Sequence, residues 1–482
     1  MKLTANTEPE KEESSESQKE NPHRTNSVNA NAQNVKEAKA KALNPIPVQP
    51  SSNISADANE IYVKANRSAD GLPKIKLTVS EKAEKSLRGG HVWVYRDEIK
   101  DICGDFENGD IADVYSQNAK YLGSGFLNLN SKIAVRIISK NRNDRFTPEF
   151  WKRRIRYSVS YRKAVMNDED FKCCRLIFGE ADTFPGLVVD RYNDILSVQA
   201  ASLGIEKIKD IIFPALINVL GDEFGVHIRA IYERNDLNIR TLEGMKEYKS
   251  FYAFPSSEKA PANYPDGITI IKENNIMYEV DYINGQKTGF FLDQKYNRAA
   301  IQNIARDKQV LDCFTHTGSF GLNAAFAGAE HVTSVDISAS ALETARKNAA
   351  LNHLEDKITY VQSDVFDFLD NLIKNKESRY NFVILDPPPF AKSRSILRNA
   401  IKGYRELNRK AMQILPRGGY LATCSCSHFM TDAYFRQMLH NAASDASVSL
   451  RQVDARAQSP DHPILWNVPE TNYLKFYIFQ IV

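Results

Sequence analysis

Hydrophobic and polar residues are distributed differently in successive parts of this chain. Residues 1–61 contain no aromatic side chain and are rich in Glu, Lys, Ser, Asn, Ala and Pro. A segment of this composition buries too little apolar surface to offset the chain entropy lost on folding. We therefore predict a disordered tail over residues 1–70.

A β-rich segment follows the tail. Short, partly alternating apolar runs separated by Gly, Asn and Asp are typical of strands joined by turns. The runs are IKLTVS, HVWVYRDEI, DIADVYS, YLGSGFLN and IAVRIIS. They predict a small β-rich domain over residues 71–142.

The next segment, residues 143–265, opens with a basic and aromatic run, WKRRIRYSVSYRKAV, that predicts a helix. Basic side chains neutralise phosphates and aromatic rings stack on bases, so Lys152, Arg153, Arg154 and Arg156 are candidate RNA contacts. The alternative, which the helix alone favours, is a solvated basic face whose aromatic side chains pack inward. Strand-like runs around the helical segment IEKIKDIIFPALINVLGDEF predict a central α+β domain; they are LVVDRY, ILSVQAAS and IRAIYERND.

Residues 266–482 show a regular alternation of strands and helices after a predicted hairpin, ITIIKENNIMYEVDYI. The predicted strands are QVLDCF, HVTSVDI, ITYVQSD, FVILDPP and GYLATCS. Strands rich in Val, Ile and Leu that alternate with helices predict a parallel sheet covered on both faces, an α/β fold. The closing runs LRQVDARA and YLKFYIFQIV would add antiparallel strands at one edge.

Composition adds limits to this picture. A chain of 482 residues is long enough for about three domains, and its formal charge of +3 does not by itself indicate a nucleic-acid-binding protein. The six cysteines lack the paired spacing of a zinc site, so we expect no metal and reduced thiols in a cytoplasmic protein. No stretch approaches the ~20 apolar residues of a membrane helix.

The ends of the predicted parallel strands are the places where a doubly wound sheet binds its ligands. Gly318 and Gly321 follow the first strand and allow a tight turn with close approach of the backbone to a ligand. His316 occupies the position of the first glycine in the dinucleotide fingerprint, which argues against NAD. An ordinary strand-to-helix turn is the alternative.

Aspartates end the next three strands. Asp336 is placed to accept hydrogen bonds from the two hydroxyls of a ribose, and Asp364 is placed to read an adenine edge. One Asp at such a position is commonly a helix cap. Together with Asp386 at the end of the fourth strand, the three predict a cofactor that contains adenosine.

Residues 386–390, Asp-Pro-Pro-Pro-Phe, form a stiff loop with few backbone donors. Phe390 is suited to stack on a planar base, and Asp386 is suited to hydrogen-bond the polar edge of that base. The alternative is a rigid turn with a buried Phe. Enzymes that methylate exocyclic amines share this motif, so the motif leaves the modified atom open.

Cysteines end the fifth strand, at Cys424 and Cys426. A thiolate that adds to C6 of a pyrimidine makes C5 nucleophilic toward an activated methyl group. A cysteine across the cleft from Asp386 would therefore permit C5 methylation. Residue type alone favours the alternative that both cysteines are small buried hydrophobic residues.

From about Ile75 to its end, the chain resembles the ribosomal RNA large subunit methyltransferase I family. The resemblance rests on several separate motifs in the same order. They are GEADTFPGLVVDRY (179–192), TGFFLDQKYNR (288–298), VLDCFTHTGSFGLNAA (310–325), VDIS (335–338), DPPPF (386–390), CSCS (424–427) and DHPI (461–464).

The resemblance implies an N-terminal PUA domain, a linking α+β domain and a class I methyltransferase domain with a Rossmann-like sheet. It implies S-adenosylmethionine as cofactor and methylation of C5 of a cytosine in 23S rRNA, either free or in an assembling large subunit. By position, Cys426 rather than Cys424 matches the family nucleophile, with Asp386 as its catalytic partner. His428 departs from the family, which has a small residue there, and the long tail has no family counterpart.

Two further sets of residues complete the expected site. Pro387, Pro388 and Phe390 would line the pocket of the target base. The expected cofactor-binding residues are Thr288, Gly289, Phe291, Asp293, Gln294, Asp312, Phe314, Gly318, Gly321, Asp336, Asp364 and Asp386.

Three alternatives to cytosine-C5 methylation stay open. The first is a methyltransferase that modifies another RNA atom, with Cys426 purely structural. The second is a noncatalytic RNA-binding factor in ribosome assembly. A nicotinamide-dependent oxidoreductase is a distant third. The sequence gives no oligomeric state, so a homodimer also stays open.

Overall fold

The computed structural model of the protein describes residues 71–254, 266–376, 379–391 and 393–482. The predicted disordered tail, residues 1–70, lies outside these ranges. The described strands are β1 (Ile75–Val79), β2 (Trp93–Tyr95), β3 (Ile99–Cys103), β4 (Ile111–Tyr115), β5 (Tyr121–Leu127), β6 (Ile133–Ser139), β7 (Cys173–Phe178), β8 (Leu187–Tyr192), β9 (Ile195–Ala200), β10 (Ala230–Asn235), β11 (Tyr248–Phe251), β12 (Ile268–Glu273), β13 (Ile276–Asp281), β14 (Gln309–Cys313), β15 (His331–Asp336), β16 (Ile358–Gln362), β17 (Phe382–Leu385), β18 (Tyr420–Ser425), β19 (Leu450–Arg456) and β20 (Lys475–Ile481). The described α-helices are α1 (Glu81–Arg88), α2 (Pro148–Val165), α3 (Leu203–Phe224), α4 (Ile239–Leu242), α5 (Lys295–Ala305), α6 (Ser319–Phe326), α7 (Ala339–Leu351), α8 (Val365–Lys374), α9 (Leu397–Ile414) and α10 (Asp432–Asp445).

The β-rich region forms one six-stranded sheet in the order β2-β6-β5-β4-β1-β3. The run HVWVYRDEI, predicted as one strand, is divided here, because a 3-10 turn at Arg96–Glu98 separates β2 from β3. Helix α1 is an addition to the prediction. Only Ala83 and Leu87 of its eight residues are buried, so it contributes few apolar positions to the sequence pattern. The Ser80 side chain caps its first turn.

The central region forms a five-stranded sheet in the order β11-β10-β9-β8-β7. Helices α2 and α3 share one apolar core with this sheet, in which Trp151 and Ile212 are fully buried. Strand β7 was not singled out from the sequence. Five of its six residues are buried, so the strand shows no alternation to indicate it.

The last region contains a seven-stranded sheet in the order β16-β15-β14-β17-β18-β20-β19. The five predicted parallel strands are confirmed, and β20 runs antiparallel to both β18 and β19. Val310 belongs to one apolar cluster and Leu311 to another, so the sheet is covered on both faces. The predicted hairpin is confirmed as β12–β13.

Strand order reverses between β14 and β17, which pair side by side with Cys313 opposite Leu385. The chain moves outward from β14 to β16 and then returns to β17, so a crevice opens at the carboxyl ends of these two strands. Within the described ranges, no helix is both long and apolar enough to cross a bilayer.

Candidate active site

The turn after β14 lies at this crevice and is held in an unusual backbone conformation. Phe314, His316 and Gly318 have φ values of 61°, 50° and 83°, in the left-handed region that side chains disfavour. The Asp312 carboxylate fastens the turn, because its Oδ2 accepts hydrogen bonds from the Thr315 hydroxyl at 2.5 Å and the Gly321 amide at 2.8 Å.

Gly321 is required by close packing at the start of α6. A Cβ atom at this position would lie 2.9 Å from Oδ2 of Asp312 and 2.7 Å from Oγ of Ser334. The predicted glycine turn is therefore present, and its tightness depends on a buried carboxylate.

Asp312 is also an unusual acid. Burial raises its pKa to about 7, and its Oδ1 has no hydrogen-bond partner in the part of the chain that the structure describes. A cation bound in the crevice would favour the ionised form of this carboxyl group.

Asp336 ends β15 and orients the same turn. Its Oδ2 accepts a hydrogen bond from the His316 amide and its Oδ1 accepts one from the Ser338 amide, each at 2.9 Å. A carboxylate offers about four acceptor positions, so each oxygen can still accept from a ribose hydroxyl. The next residue, Ile337, is 68% exposed and was missed by the sequence analysis; an apolar side chain here can cover the face of an adenine.

Asp364 caps α8. Its Oδ1 accepts hydrogen bonds from the amides of Phe366 and Asp367 at 2.7 and 3.3 Å, which is the helix-cap alternative considered above. Its Oδ2 accepts no hydrogen bond within the described ranges. The adenine contact of Asp364 stays a prediction.

The loop that carries Thr288 and Gly289 connects the hairpin to α5 and reaches the crevice. Gln294 is buried there, and its amide nitrogen lies 3.3 Å from Oδ1 of Asp386 and 3.4 Å from Sγ of Cys424. The Phe291 ring meets the His316 ring edge-on at 5.3 Å. The structure thus brings the 288–294 loop, the turn after β14 and the end of β17 together.

Asp293 is a buried anion beside this loop. Burial alone would raise its pKa, but the charges of Lys287 and His462 and a 2.7 Å hydrogen bond from the Tyr473 hydroxyl outweigh burial and hold the pKa well below its usual range. Asp293 is therefore ionised at neutral pH.

The two cysteines at the end of β18 have different surroundings. Cys424 is buried, and its thiol donates a hydrogen bond of 2.9 Å to Oδ1 of Asp386. Cys426 is half-buried, and it is the one cysteine at this edge with access to solvent. Burial and the charge of Asp386 raise the pKa of Cys426 to about 11.

Comparison with known proteins agrees with this geometry. A PUA-like domain model matches residues 77–140, and a model of S-adenosylmethionine-dependent methyltransferases matches residues 257–479. Ribosomal RNA large subunit methyltransferase I of Aliivibrio fischeri is 34% identical over 409 residues, which cover 85% of this chain and all of that protein. The enzyme of the same name from Pseudoalteromonas atlantica is 37% identical over 408 residues, 84% of this chain and 99% of that protein.

The chain belongs to the ribosomal RNA large subunit methyltransferase I family. The resemblance found from the sequence motifs is thereby confirmed. A solved structure of a candidate S-adenosylmethionine-dependent methyltransferase from Streptococcus mutans shares the fold, with a TM-score of 0.69 at 24% identity over 84% of this chain and 99% of that one. Another, of a candidate methyltransferase complexed with SAH, matches equally well, with a TM-score of 0.69.

This family member is therefore an S-adenosylmethionine-dependent methyltransferase with a PUA-like domain before its catalytic domain. The crevice fits the cofactor on its own evidence. It offers the tight glycine turn and the Asp336 carboxylate with free acceptor capacity. It also offers the buried Asp312 oxygen, which has no hydrogen-bond partner among the described residues. The domain boundaries at residues 142 and 265 and the individual cofactor contacts stay predictions.

Two lysines near Cys426 were missed by the sequence analysis. Lys475, the one cation of the apolar run in β20, has a buried ammonium group that donates to the carbonyls of Ser427 and Tyr473 at 2.7 and 2.8 Å. Burial lowers its pKa to about 8. Lys287 directly precedes the TGFFLDQ motif, and its ammonium lies 4.3 Å from the centre of the Phe291 ring.

The proline loop is only partly open. Pro387 is buried, Pro388 is exposed and Phe390 is half-buried, with its ring 4.5 Å from that of Tyr404. Phe390 thus packs largely against α9, close to the alternative of a rigid turn with a buried Phe. Its contact with a target base, like those of Pro387 and Pro388, stays a prediction.

The basic helix α2 uses much of its charge within the protein. Arg156 makes two hydrogen bonds with Glu223, at 2.5 and 2.7 Å, and both Arg153 and Arg154 face Asp144. Lys152 forms no ion pair within the described ranges.

The aromatic residues of α2 divide between core and surface. Trp151 is fully buried and stacks on Phe126 with a centroid distance of 6.0 Å, as in the inward-packing alternative, whereas Tyr157 is 59% exposed. RNA contact by this helix stays a prediction.

Proposed function

We propose that this methyltransferase acts on large-subunit ribosomal RNA, either free or in an assembling subunit, and forms 5-methylcytosine through a covalent adduct with Cys426. The family to which the chain belongs supports the RNA substrate. One observation supports the nucleophile. Cys426 combines a position at the crevice with solvent access, whereas Cys424 is buried against Asp386.

The proposed chemistry begins with addition of the Cys426 sulfur to C6 of the cytosine. The Sγ–C6 bond forms, the C5–C6 double bond opens, and C5 becomes nucleophilic while N3 takes up a proton. S-adenosylmethionine supplies an electrophilic methyl group at a sulfonium centre. A base then takes the C5 proton, the Sγ–C6 bond breaks, and N3 returns its proton through Asp386 to the departing thiolate, which restores the aromatic ring and the starting protonation of the site.

Proton movement is the main difficulty, because a thiol with a pKa of about 11 is almost entirely protonated at neutral pH. Asp386 is suited to accept the thiol proton. Burial raises its pKa, so its carboxylate accepts a proton more readily than an ordinary aspartate does. In the proposed sequence Asp386 receives the Cys426 proton and passes it to N3, which leaves the charge balance of the site unchanged.

A base that reaches Cys426 must leave its stack. Extrusion costs a few kcal/mol and least for an unpaired base, so an unpaired cytosine is the favoured target. Asp336 and the turn of residues 314–318 are proposed to hold the adenosine part of the cofactor, with Asp312 fixing the turn.

The test is trapping with 5-fluorocytidine. Fluorine at C5 cannot leave as a proton does, so the adduct accumulates as a covalent protein–RNA complex. We expect a 23S rRNA transcript made with 5-fluorocytidine to trap the wild type and Cys424→Ser but not Cys426→Ala. Mapping of 5-methylcytosine by mass spectrometry in rRNA from cells without the protein locates the nucleotide.

A second candidate reaction is methylation of another RNA atom, such as an exocyclic amine. It is favoured by the contact of Asp386 with Cys424 rather than Cys426, because Asp386 would then serve only to bind the polar edge of a base. Normal methyl transfer by Cys426→Ala, without any trapped complex, would support that reaction and exclude the thiolate mechanism.

A further inference from the structure

A loop of the catalytic domain presents an exposed tryptophan beside the PUA-like domain. We call residues 463–470 the Trp466 loop. Trp466 is 90% exposed, although tryptophan is ordinarily among the more buried residue types. No element within the described ranges covers its ring.

The Trp466 loop is firmly held at both ends. The Leu465 amide donates to the Thr471 hydroxyl at 2.9 Å, and the Val468 amide donates to the Leu465 carbonyl at 2.8 Å. Asp461, just before the loop, is fully buried and accepts a 2.8 Å hydrogen bond from the Arg175 amide. An aromatic ring on so constrained a backbone loses little entropy when it binds a ligand.

The Trp466 loop also touches the PUA-like domain. The Asn467 side chain packs so closely on Gly90 that a Cβ there would lie 2.4 Å from its amide nitrogen. Glu470 lies 3.4 Å from Nε2 of His91. This end of the loop therefore lies against the PUA-like domain, and the hydrogen bond with His91 lowers the pKa of Glu470. The chain continues from the loop to Tyr473, whose carbonyl shares the Lys475 ammonium with the Ser427 carbonyl, next to Cys426.

Next to this junction the PUA-like domain carries a groove of 390 Å³, lined by Tyr95, Arg96, Asp97 and Lys132. Tyr95 is 38% exposed. Trp93, two residues earlier on β2, lines a second pocket together with Val468 and Glu470, which places the groove near the Trp466 loop. Arg96 and Lys132 form no ion pair in the described part of the chain. They differ in this from the four arginines of α2, all of which face carboxylates.

We propose that Trp466 stacks on an unpaired nucleotide of the RNA substrate close to the target base, while Arg96 and Lys132 contact the adjoining phosphates. This inference rests on the RNA substrate of the proposed function but not on cytosine-C5 chemistry. Every base has an aromatic face, so a rigid tryptophan recognises single-stranded RNA independently of its sequence. Cations without an internal partner are the ones free to replace the counterions of phosphates.

The test measures binding and methyl transfer separately, with a 23S rRNA transcript as the probe. Trp466→Ala is expected to bind the transcript about 5- to 100-fold more weakly, the range found when one stacked base loses its aromatic partner. Trp466→Phe is expected to restore most of the affinity. Arg96→Ala with Lys132→Ala is expected to make the salt dependence of binding shallower, by a slope of about 2.

Phe326→Ala is the matched control. Phe326 is an aromatic residue of 46% exposure at the last position of α6, a helix that starts at the crevice and so ends at the opposite edge of the sheet. It is expected to bind RNA as the wild type does. Unchanged melting temperature and cofactor affinity of Trp466→Ala show that the loop keeps its fold.

The outcomes separate this inference from the proposed function. Wild-type affinity of Trp466→Ala overturns the stacking site, even if the enzyme methylates the transcript. A wild type that binds RNA through Trp466 but transfers no methyl group supports the stacking site and contradicts the proposed substrate reaction. A wild type that does not bind the transcript overturns both.

Discussion

The Thr288 hydroxyl donates a 2.5 Å hydrogen bond to the Asp190 carboxylate, which joins the 288–294 loop to the five-stranded central sheet. Asp190 is fully buried and also receives two hydrogen bonds from Arg175, at 2.7 and 2.8 Å. The Tyr192 hydroxyl lies 3.1 Å from the same Thr288 oxygen. The conformation of the 288–294 loop is therefore set in part by a different sheet from the one whose strands end just before Asp386 and Cys426.

Thr288→Val removes this hydroxyl without changing the volume of the side chain. Because a hydrogen bond to a charged group is worth about 1.5–3 kcal/mol, we expect the free energy of unfolding in urea to fall by that amount and cofactor affinity to fall with it. Thr288→Ser keeps the hydroxyl and is expected to lose much less. A smaller loss in Thr288→Val than in Thr288→Ser would mean that methyl packing, not the hydrogen bond, matters here.

The reactivity of Cys426 should follow its raised pKa. Only the thiolate reacts with iodoacetamide, so below a pKa of about 11 we expect the alkylation rate to rise about tenfold per pH unit from pH 7 to pH 10. The measurement needs a Cys103→Ser background, because Cys103 is the other accessible cysteine of the six. Adding Cys426→Ala to this background should abolish labelling. A rate that levels off by pH 8 would contradict the assigned surroundings.

Cofactor binding should release a proton near neutral pH. Asp312 has a pKa of about 7 in the protein alone, and the positive charge of S-adenosylmethionine should lower it. Affinity should then rise with pH up to about 7, by no more than tenfold per unit, and stay level above. Calorimetry in two buffers of different ionisation enthalpy counts the protons.

Two controls test whether the released proton comes from Asp312. S-adenosylhomocysteine lacks the sulfonium charge and should release fewer protons. Asp312→Asn should remove the pH dependence altogether. A proton release that survives in this variant would assign the titration to another group.

The two roles of Asp364, as the cap of α8 and as the predicted adenine contact, can be separated by mutation. Serine can also cap a helix, but it carries no charge. Asp364→Ala should destabilise α8 by about 1 kcal/mol, whereas Asp364→Ser should unfold like the wild type. If the free Oδ2 reads adenine, both variants should bind S-adenosylmethionine about tenfold more weakly or worse. Normal affinity of Asp364→Ser for S-adenosylmethionine would mean that Asp364 serves only as the helix cap.

The sequence alone was sufficient for the catalytic sheet but not for all of its surroundings. Strands β14–β18 were predicted because each is a short apolar run between helical segments. The candidate site residues were chosen because a doubly wound sheet binds its ligands at the ends of such strands. Helix α1 was missed because it is short and has only two buried residues, and strand β7 was missed because it shows no alternation. Residue type alone favoured burial of both Cys424 and Cys426, and Cys426 was preferred only by its position in the family resemblance. The fold shows that the Cys424 thiol is buried against Asp386 and that Cys426 is half-buried.

The sequence patterns could not predict contacts between distant parts of the chain. Arg162, near the end of the basic helix α2, is fully buried and pairs with Asp182 at 2.5 and 2.7 Å. It also donates to the carbonyl of Asp461, 299 positions away. Local periodicity carries no information on such a pairing, so a buried arginine and a surface arginine look alike in the sequence.

The buried lysine at the start of α5 has a practical consequence for protein engineering. Lys295 is inaccessible to solvent and donates to the Cys173 carbonyl at 2.6 Å, across the boundary between the central and catalytic sheets. Excising residues 266–482 as a transplantable module would take the Cys173 carbonyl from Lys295 and the Arg175 amide from Asp461. It would also expose the catalytic-region side of an apolar cluster that includes Tyr192 and Tyr232 of the central sheet. A chimaera that grafts this catalytic unit onto another RNA-targeting domain must therefore retain the central sheet.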